Sequence, residues 1–564
     1  MPFVVVRPSE SRATLYRHTR EVTMAPDKRQ YGAVFTRRWV VDLMLDTSGY
    51  TPDKNLAGTV AVEPSCGDGA FLLPMVERLS ASLKKHGQDI TDAREAIKAF
   101  DLQKQHVLFC RDAVTELLVS EGWEPAVSRE IADGWVHHAD YLLTEHKKNA
   151  DFAIGNPPYI RSDDMTPELR AAYMSRCETM TTGSDIYIGF IEQGLKSLKP
   201  NGVLSYICAD RWMHNNYGKK LRGFVIRDYG IEVIYEMHGV DAFAEDVSAY
   251  PAITQIRNSH QGAVRFVVCA ETFKEEAARR LYKWASQDNP APLNNHDFKA
   301  ALLPKWFDTD AVWASASPER LALLEVLNDK FRPLEDPKTG TKIGIGVATG
   351  ADKIFVIQDM DLVESERLVP LVITDHVRKC EMAWKNTWLV NPWNEDGSLV
   401  DLTKYPKMAR YLSPFKTSLQ QRHTAKKNTD AWYRTIDKVN PTLTKKPKLL
   451  LQDMKATIQP IYDKGDYYPH HNLYWITSEK WNLEVLGGLL LSRVAEMFIA
   501  AYGVKMRGGT LRFQAQYLRL VRVPDPDTIP DDIQARLVQA FKERNADEAT
   551  QAALVAYGLD ELPD

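Results

Sequence analysis

Cysteine is scarce in this chain: Cys66, Cys110, Cys177, Cys208, Cys269 and Cys380 are the six among 564 residues. None forms a Cys-x-x-Cys pair, and none has a histidine at zinc-finger spacing. A disulfide scaffold and a zinc ribbon are thereby excluded, and the six read as reduced, buried thiols of a cytosolic protein. A long apolar run is missing too. The most apolar stretch, residues 486–502, is interrupted by Arg493 and Glu496, whereas a lipid-spanning helix needs about twenty apolar residues with few charges. The stretch predicts one buried helix and no membrane partner. The first thirty residues contain Arg7, Arg12, Arg17, Arg20, Lys28 and Arg29 but no apolar core, so they do not read as a secretory signal. Charge of one sign is not in excess: 71 Lys and Arg against 75 Asp and Glu give a net −4. A uniformly basic, histone-like DNA binder is excluded, while a local basic face is not.

What is present is ordinary globular composition, 44% hydrophobic and 26% charged. At roughly 100–200 residues per domain the length predicts two to four domains. Residues 57–270 alternate short β-rich runs with helix-period runs. Residues 59–63, 97–101, 135–138 and 152–154 read as strands, and the first is followed by a helix burying Phe71, Leu72, Met75, Val76, Leu79 and Leu83. Residues 186–198 read as a helix stopped at Pro200-Asn201-Gly202, residues 202–209 as a buried strand, and residues 216–228 as a helix. Residues 231–237, 252–257 and 263–270 complete the strands, the last two close enough to form an edge hairpin across 259–262. Strands alternating with helices predict an α/β domain with a mostly parallel sheet. Ligands of such sheets sit at the carboxyl ends of the strands. The expected organisation is an arm (1–30), the α/β domain (31–285), a connector (286–330), an irregular mixed α/β domain (331–524) and a helical tail (525–564).

The sharpest local signal is Asn156-Pro157-Pro158-Tyr159, directly after a strand. Such a string arises by chance in on the order of a few per thousand chains of this length; its plain alternative is a turn. The residue types suit a particular chemistry. An exocyclic amine on a base is a poor nucleophile because its lone pair is delocalised into the ring. Two acceptors aimed at its hydrogens, here the Asn156 side chain and the Pro157 carbonyl, would draw the nitrogen toward a tetrahedral shape. The prolines fix φ near −65° and hold the carbonyl in place. Tyr159 offers a flat face to a flipped-out base.

The second signal is the turn Glu63-Pro64-Ser65-Cys66-Gly67-Asp68-Gly69, between the first strand and the first helix. It lacks the third glycine of the dinucleotide fingerprint and the lysine of a phosphate loop, which disfavours nicotinamide and ATP chemistry. Asp101 ends the second strand, where a carboxylate can take ribose hydroxyls. Asp140 can accept from an adenine amine, and Tyr141 can stack on the ring.

Together these segments resemble the S-adenosylmethionine-dependent DNA adenine-N6 methyltransferases of the gamma class, the TaqI-like enzymes of restriction–modification systems. The resemblance implies a Rossmann-like methyltransferase domain, with a mostly parallel seven-stranded sheet and a terminal antiparallel hairpin, followed by a C-terminal mixed α/β target-recognition domain. It implies S-adenosylmethionine as cofactor, no metal, and double-stranded DNA as partner in a bacterial or archaeal cytosol. It leaves room for a separate restriction endonuclease or defence protein. Residues 31–46 resemble the N-terminal cofactor motif, with Thr36 at its threonine. Glu63, Pro64, Ser65, Gly67 and Gly69 fall in the methionine-binding loop, Asp101 at the ribose acid and Asp140-Tyr141 at the adenine site. Phe190 lies in the segment flanking the adenine ring. Asn156, Pro157, Pro158 and Tyr159 form the catalytic motif, and Phe243 resembles the aromatic that sandwiches the target base with Tyr159. The family often has glutamate at Asp101, and the N-terminal arm has no counterpart.

Residues 344–356 resemble a segment near the start of these recognition domains, and Trp432-Tyr433 and residues 507–513 later landmarks. Residues 401–455 contain thirteen Lys or Arg against four Asp or Glu, interleaved with Tyr405, Tyr411, Trp432 and Tyr433. Phosphate contacts from Lys416, Arg422, Lys426 and Lys427, with stacking from the aromatics, fit that pattern. Arg507 and Arg512 suit guanine edges or phosphate. The pair His470-His471 has no third ligand nearby in the sequence and reads as structural or surface. Rival readings are a methyltransferase acting on RNA or a protein glutamine, a non-catalytic DNA-specificity subunit, and a combined restriction–modification enzyme. For the last, thirty residues before the first cofactor motif leave no room for an N-terminal nuclease.

Overall fold

The computed structural model describes residues 35–244, 250–378, 381–426, 429–503 and 511–563. Cys380, Lys427, Arg507, the N-terminal arm and the start of the 31–46 motif lie outside these, as does the side chain of Lys426. The chain divides into two compact units, one up to Trp313 and one from Ala314.

The first unit is built on a ten-stranded sheet. Its strands are β1 (Ala61–Glu63), β2 (Ile97–Asp101), β3 (Val136–His138), β4 (Ala150–Gly155), β5 (Leu198–Ala209), β6 (Gly230–Glu236), β7 (Pro251–Arg257), β8 (Val264–Cys269), β9 (Leu293–Asn294) and β10 (Phe298–Leu303). The order is β3-β2-β1-β4-β5-β7-β6-β8-β10-β9. Strands β1 to β5 pair in parallel, and β7 is antiparallel to both neighbours. The Rossmann-like sheet expected from the sequence is thus present in β1 to β7, with β8, β10 and β9 added at one edge.

The edge hairpin does not form as predicted. β7 pairs with β5 and β6, and β8 pairs with β6 and β10. Six of the seven β7 residues are buried, so both faces of the strand are covered, which fits its place between β5 and β6. Such a strand belongs inside a sheet. β8, more alternating in burial, is likewise flanked on both sides, by β6 and β10. Pro200-Asn201-Gly202 also departs from expectation. The helix has already ended at Ser197, and the tripeptide is an irregularity within β5, with Asn201 at φ 65° and a register shift opposite β4.

Helices cover both faces. Helix Leu72–His86 buries Leu72, Met75, Val76, Leu79 and Leu83, the residues its spacing predicts, and ends at Gly87 in the left-handed conformation. They join Val40, Met44, Ile97, Ile154 and Ile207 in the main core. Helix Tyr187–Ser197 lies against the opposite face, because Gly194 abuts Leu204 and Tyr206. Neighbouring strand residues point to opposite sides of a sheet, so Tyr206 and the core residue Ile207 face different layers.

The second unit holds two four-stranded sheets. One comprises Lys342–Ile345, Leu473–Thr477, Lys448–Gln452 and Ile461–Asp463. The other comprises Val356–Ile357, Trp388–Val390, Leu368–Val372 and Tyr468–Pro469. The expected helix over 486–502 is two helices, Leu483–Leu491 and Arg493–Tyr502, bent by 65° at Ser492. Among the described residues no single helix is long and apolar enough to cross a membrane.

Candidate active site

Because β1 to β4 run in parallel, their carboxyl ends share one edge of the sheet. Glu63 is the last residue of β1 and Asp101 the last of β2. Asp140 follows β3, and Asn156 directly follows β4. The loops there enclose a cavity of about 310 Å³, near the small end of ligand pockets. Thr36, Glu63, Pro64, Ser65, Gly67, Asp101, Asp140, Tyr141, Asn156, Pro158 and Phe190 line it. The methionine-loop candidates and the Asn156 loop, expected to act together, therefore share one wall. Gly69, Pro157, Tyr159 and Phe243 are outside this lining.

The turn after β1 has a backbone that favours glycine, with φ of 51° at Gly67 and 83° at Gly69. A further glycine, not singled out in the sequence, brings the two loops together. A Cβ on Gly155 would stand 3.1 Å from Cδ of Pro64, so the close approach of β4 to the turn is eased by the missing side chain.

The wall has five carboxylates, those of Glu63, Asp68, Asp101, Asp140 and Asp164, and neither lysine nor arginine. A phosphate-bearing ligand would meet repulsion there, whereas a cation would be attracted. Glu63 is 1% exposed, and its Oε2 is buried without a hydrogen-bond partner. Burial, with the charges of Asp101 and Asp68, pushes its carboxyl well above the usual carboxylate range. A buried acid so placed is held back from ionising until a positive group arrives.

Asp101 is more occupied than its sequence position implies. Its Oδ2 accepts from Gly67 N at 2.9 Å, and its Oδ1 accepts from Gln103 N at 2.8 Å and meets His106 Nδ1 at 3.2 Å. A carboxylate offers about four lone-pair sites, so about one remains for a ribose hydroxyl rather than two. The hydrogen bond to Asp101 raises the His106 pKa, against the effect of burial. Asp140 accepts from Leu142 N at 3.0 Å and from the Tyr173 hydroxyl at 2.7 Å. His106 and Tyr173 both line the cavity. Neither is legible in the sequence, because each reaches the site from a helix with no motif of its own. The rings of Tyr141 and Phe190 are stacked, with centroids 5.5 Å apart at 18°. They form a joint apolar wall rather than two jaws.

The Asn156 loop is held from two sides. Asn156 Nδ2 donates to Thr36 Oγ1 at 3.1 Å, which fixes the orientation of the amide. Ser65 Oγ donates to the Asn156 carbonyl at 3.1 Å. Thr36 also forms a backbone bridge with Phe243, flanked by Arg37 N donating to Ala242 O and Ala244 N donating to Phe35 O, each at 2.9 Å. Tyr159 is half-buried; its hydroxyl is enclosed, and burial pushes its pKa well above the usual value.

The basic segment of the second unit is less available than its composition suggests. Arg422 donates to the carbonyls of Leu419 (3.2 Å), Thr349 (3.1 Å), Trp432 (2.9 Å) and Arg434 (2.7 Å), which makes it a loop staple. Arg512 is paired with Asp453. Lys448 is buried against Asp463 at 2.7 Å. Tyr405, Tyr411, Trp432 and Tyr433 pack on the apolar cluster around Phe355 and Met408 instead of standing free for stacking. Lys416 remains exposed, with its ammonium 5.7 Å from the Trp432 ring centroid.

Residues 78–243 match the family model of the Eco57I restriction-modification methylase, and residues 397–521 that of the TaqI-like C-terminal specificity domain. The chain is 40% identical to the type II methyltransferase M.PaeR7I of Pseudomonas aeruginosa, over 94% of this chain and 92% of that one. It is 37% identical to the type II methyltransferase M.XhoI of Xanthomonas vasicola, over 95% and 98%. Among solved structures, the type IIL restriction-modification enzyme MmeI in complex with DNA superposes with a TM-score of 0.59 at 12% identity, covering 96% of this chain and 78% of that one, a likeness of fold. With that identity over nearly its whole length, the chain belongs to the type II DNA methyltransferases of restriction–modification systems.

Proposed function

We propose that the protein methylates the N6 amine of an adenine flipped out of double-stranded DNA, at a defined sequence, as the modification enzyme beside a separate restriction endonuclease. The observation that carries this reading is that the Asn156 amide and the Glu63, Asp101 and Asp140 carboxylates line one acidic cavity. S-adenosylmethionine, the donor implied by the family, supplies a methyl group already activated on a sulfonium. The cavity fits it: a buried, partnerless Glu63 oxygen for positive charge, a remaining Asp101 lone pair for a ribose hydroxyl, and the Tyr141–Phe190 wall for a purine.

The chain's own residues do the rest. Asn156 Oδ1 and the Pro157 carbonyl accept hydrogen bonds from the target amine and stabilise positive charge developing on its nitrogen. Thr36, holding Nδ2, keeps the oxygen turned toward that amine. No strong base is required, because the nitrogen loses its proton after its charge has formed. Tyr159 flanks the flipped base, whereas Phe243, buried in the main core, serves instead to anchor Thr36. Positioning contributes much of the rate. In the second unit, exposed Lys416 contacts phosphate.

The test is nucleoside mass spectrometry on unmethylated DNA incubated with the protein and S-adenosylmethionine. N6-methyldeoxyadenosine is expected, and Asn156→Ala abolishes it while calorimetry still detects cofactor binding. N4-methylcytosine would overturn the adenine assignment. No methylated DNA base, from protein that binds the cofactor, would turn the reading to RNA or a protein glutamine.

A further inference from the structure

Away from the methyl-transfer cavity, the second unit brings together three groups that the sequence keeps apart. His470 and His471 are adjacent, and Asp352 lies 118 residues before His470. His470 Nε2 is 3.1 Å from Asp352 Oδ2 and 3.1 Å from His471 Nδ1. All three ligand atoms are within 4.8 Å of one another. The reading of the histidine pair as lacking a third ligand is therefore corrected.

Protons alone satisfy this arrangement only in part. Nε2 of His470 has one position for either a proton or a lone pair, yet it faces two atoms. With a proton there, a single hydrogen is split between an imidazole nitrogen and a carboxylate. Without it, the Nε2 lone pair faces the carboxylate charge directly. A divalent cation among the three atoms satisfies all of them at once. At zinc–nitrogen distances of about 2.0–2.1 Å, tetrahedral ligands stand about 3.3 Å apart, close to the two 3.1 Å separations.

The surroundings are built like a ligand shell. The His470 side chain is 7% exposed, while that of Asp352 is 47% exposed and leaves an entry path. The other oxygen of Asp352, Oδ1, accepts from the Thr349 hydroxyl, which orients the carboxylate as outer-shell groups do in metal sites. The ligand-bearing segments are fastened by backbone hydrogen bonds, from Val347 N to Pro469 O at 2.9 Å and from His471 N to Val347 O at 3.0 Å. A Cβ on Gly346 would come within 2.3 Å of the Pro469 and His470 carbonyl oxygens, so this approach requires glycine.

We propose that Asp352, His470 and His471 bind one divalent transition ion of the zinc type, which ties residues 344–356 to the segment before strand Leu473–Thr477 and keeps a coordination position open to water. Imidazole nitrogen with one carboxylate suits zinc and its neighbours better than magnesium or calcium.

The test uses the untagged full chain, stripped with chelator and titrated with Zn²⁺ and, separately, Co²⁺. One equivalent is expected, with intense visible cobalt absorption of a four- or five-coordinate site and a Zn²⁺-dependent rise in melting temperature. Asp352→Asn and the more exposed His471→Gln should each weaken Zn²⁺ binding at least tenfold and remove the melting shift. Their circular dichroism and their melting temperature in the metal-free state, compared with metal-free wild type, report that the fold persists. Wild-type protein that takes up neither ion, or binding that is equally tight in both folded variants, would overturn the site.

Discussion

Replacing Glu63 by glutamine isolates the most unusual electrostatic feature of the cavity. The wild-type carboxyl is buried, faces two other acids, and holds its proton well above the ordinary value of 4.5. A cationic cofactor reverses that preference, so binding expels the proton. Affinity should then rise with pH below the raised pKa, by at most about tenfold per unit for a single proton. Glutamine keeps the shape and loses the charge. A charge-assisted hydrogen bond is worth about 1.5–3 kcal/mol, so Glu63→Gln should weaken S-adenosylmethionine about 10- to 150-fold at pH above the transition, and should flatten the pH dependence. Calorimetry in buffers of different ionisation enthalpy counts the expelled protons directly. The empty protein gives an independent check. Because the folded pKa is raised, the stability linked to this group is fully present below 4.5 and is lost as pH rises through the folded pKa. Glu63→Gln should therefore melt higher than wild type at alkaline pH and converge with it in acid. Proton-neutral binding together with unchanged affinity in the variant would refute the assignment of positive charge to this corner.

Other expectations follow from particular contacts. Thr36→Val removes the acceptor that orients Asn156 and should lower kcat by about 2- to 13-fold, the equivalent of about 0.5–1.5 kcal/mol; Thr36→Ser should restore it, and an unchanged kcat would remove Thr36 from that role. Lys448→Ala strands the buried Asp463 charge and should cost about 3–5 kcal/mol in urea unfolding of the second unit, while replacing both by apolar residues recovers most of it; an additive double variant would contradict this. Arg422→Lys keeps the charge but cannot span four carbonyls, so it should lower the melting temperature without changing the salt dependence of DNA binding. Lys416→Ala should reduce that salt slope by about one and leave stability alone; the reverse pattern would make Arg422 the phosphate contact.

The parts of the molecule that were legible in the sequence are those written locally. Short apolar runs ending in Glu63, Asp101 and Ile154 mark strand ends to within a residue, and the loops after parallel strands meet at one edge. Pairing partners are not local. Nothing within residues 252–257 says that they pair with β5 and β6 rather than with the run just downstream; that choice is made only by the assembled sheet. Composition likewise counts charges without saying what they face. Thirteen basic residues within 401–455 looked like a phosphate surface, yet Arg422 spends its donors on carbonyls and Lys448 on Asp463, and Arg512, further along the chain, is paired with Asp453. His106, Tyr173 and Asp352 act through partners brought near by folding, and each is anonymous in its own neighbourhood.

The bridge between Thr36 and Phe243 has a consequence for the order in which the protein takes shape. It is closed by the ion pair of Arg37 with Asp241, residues 204 positions apart. Contacts of such sequence separation carry a large loop-closure cost and form late. On the ribosome, the parallel strands and their acidic turns can assemble first, whereas the threonine that aims Asn156 is clamped only after Phe243 has emerged. A partly made chain can therefore form the acidic strand ends before the Asn156 amide is held in place by Thr36.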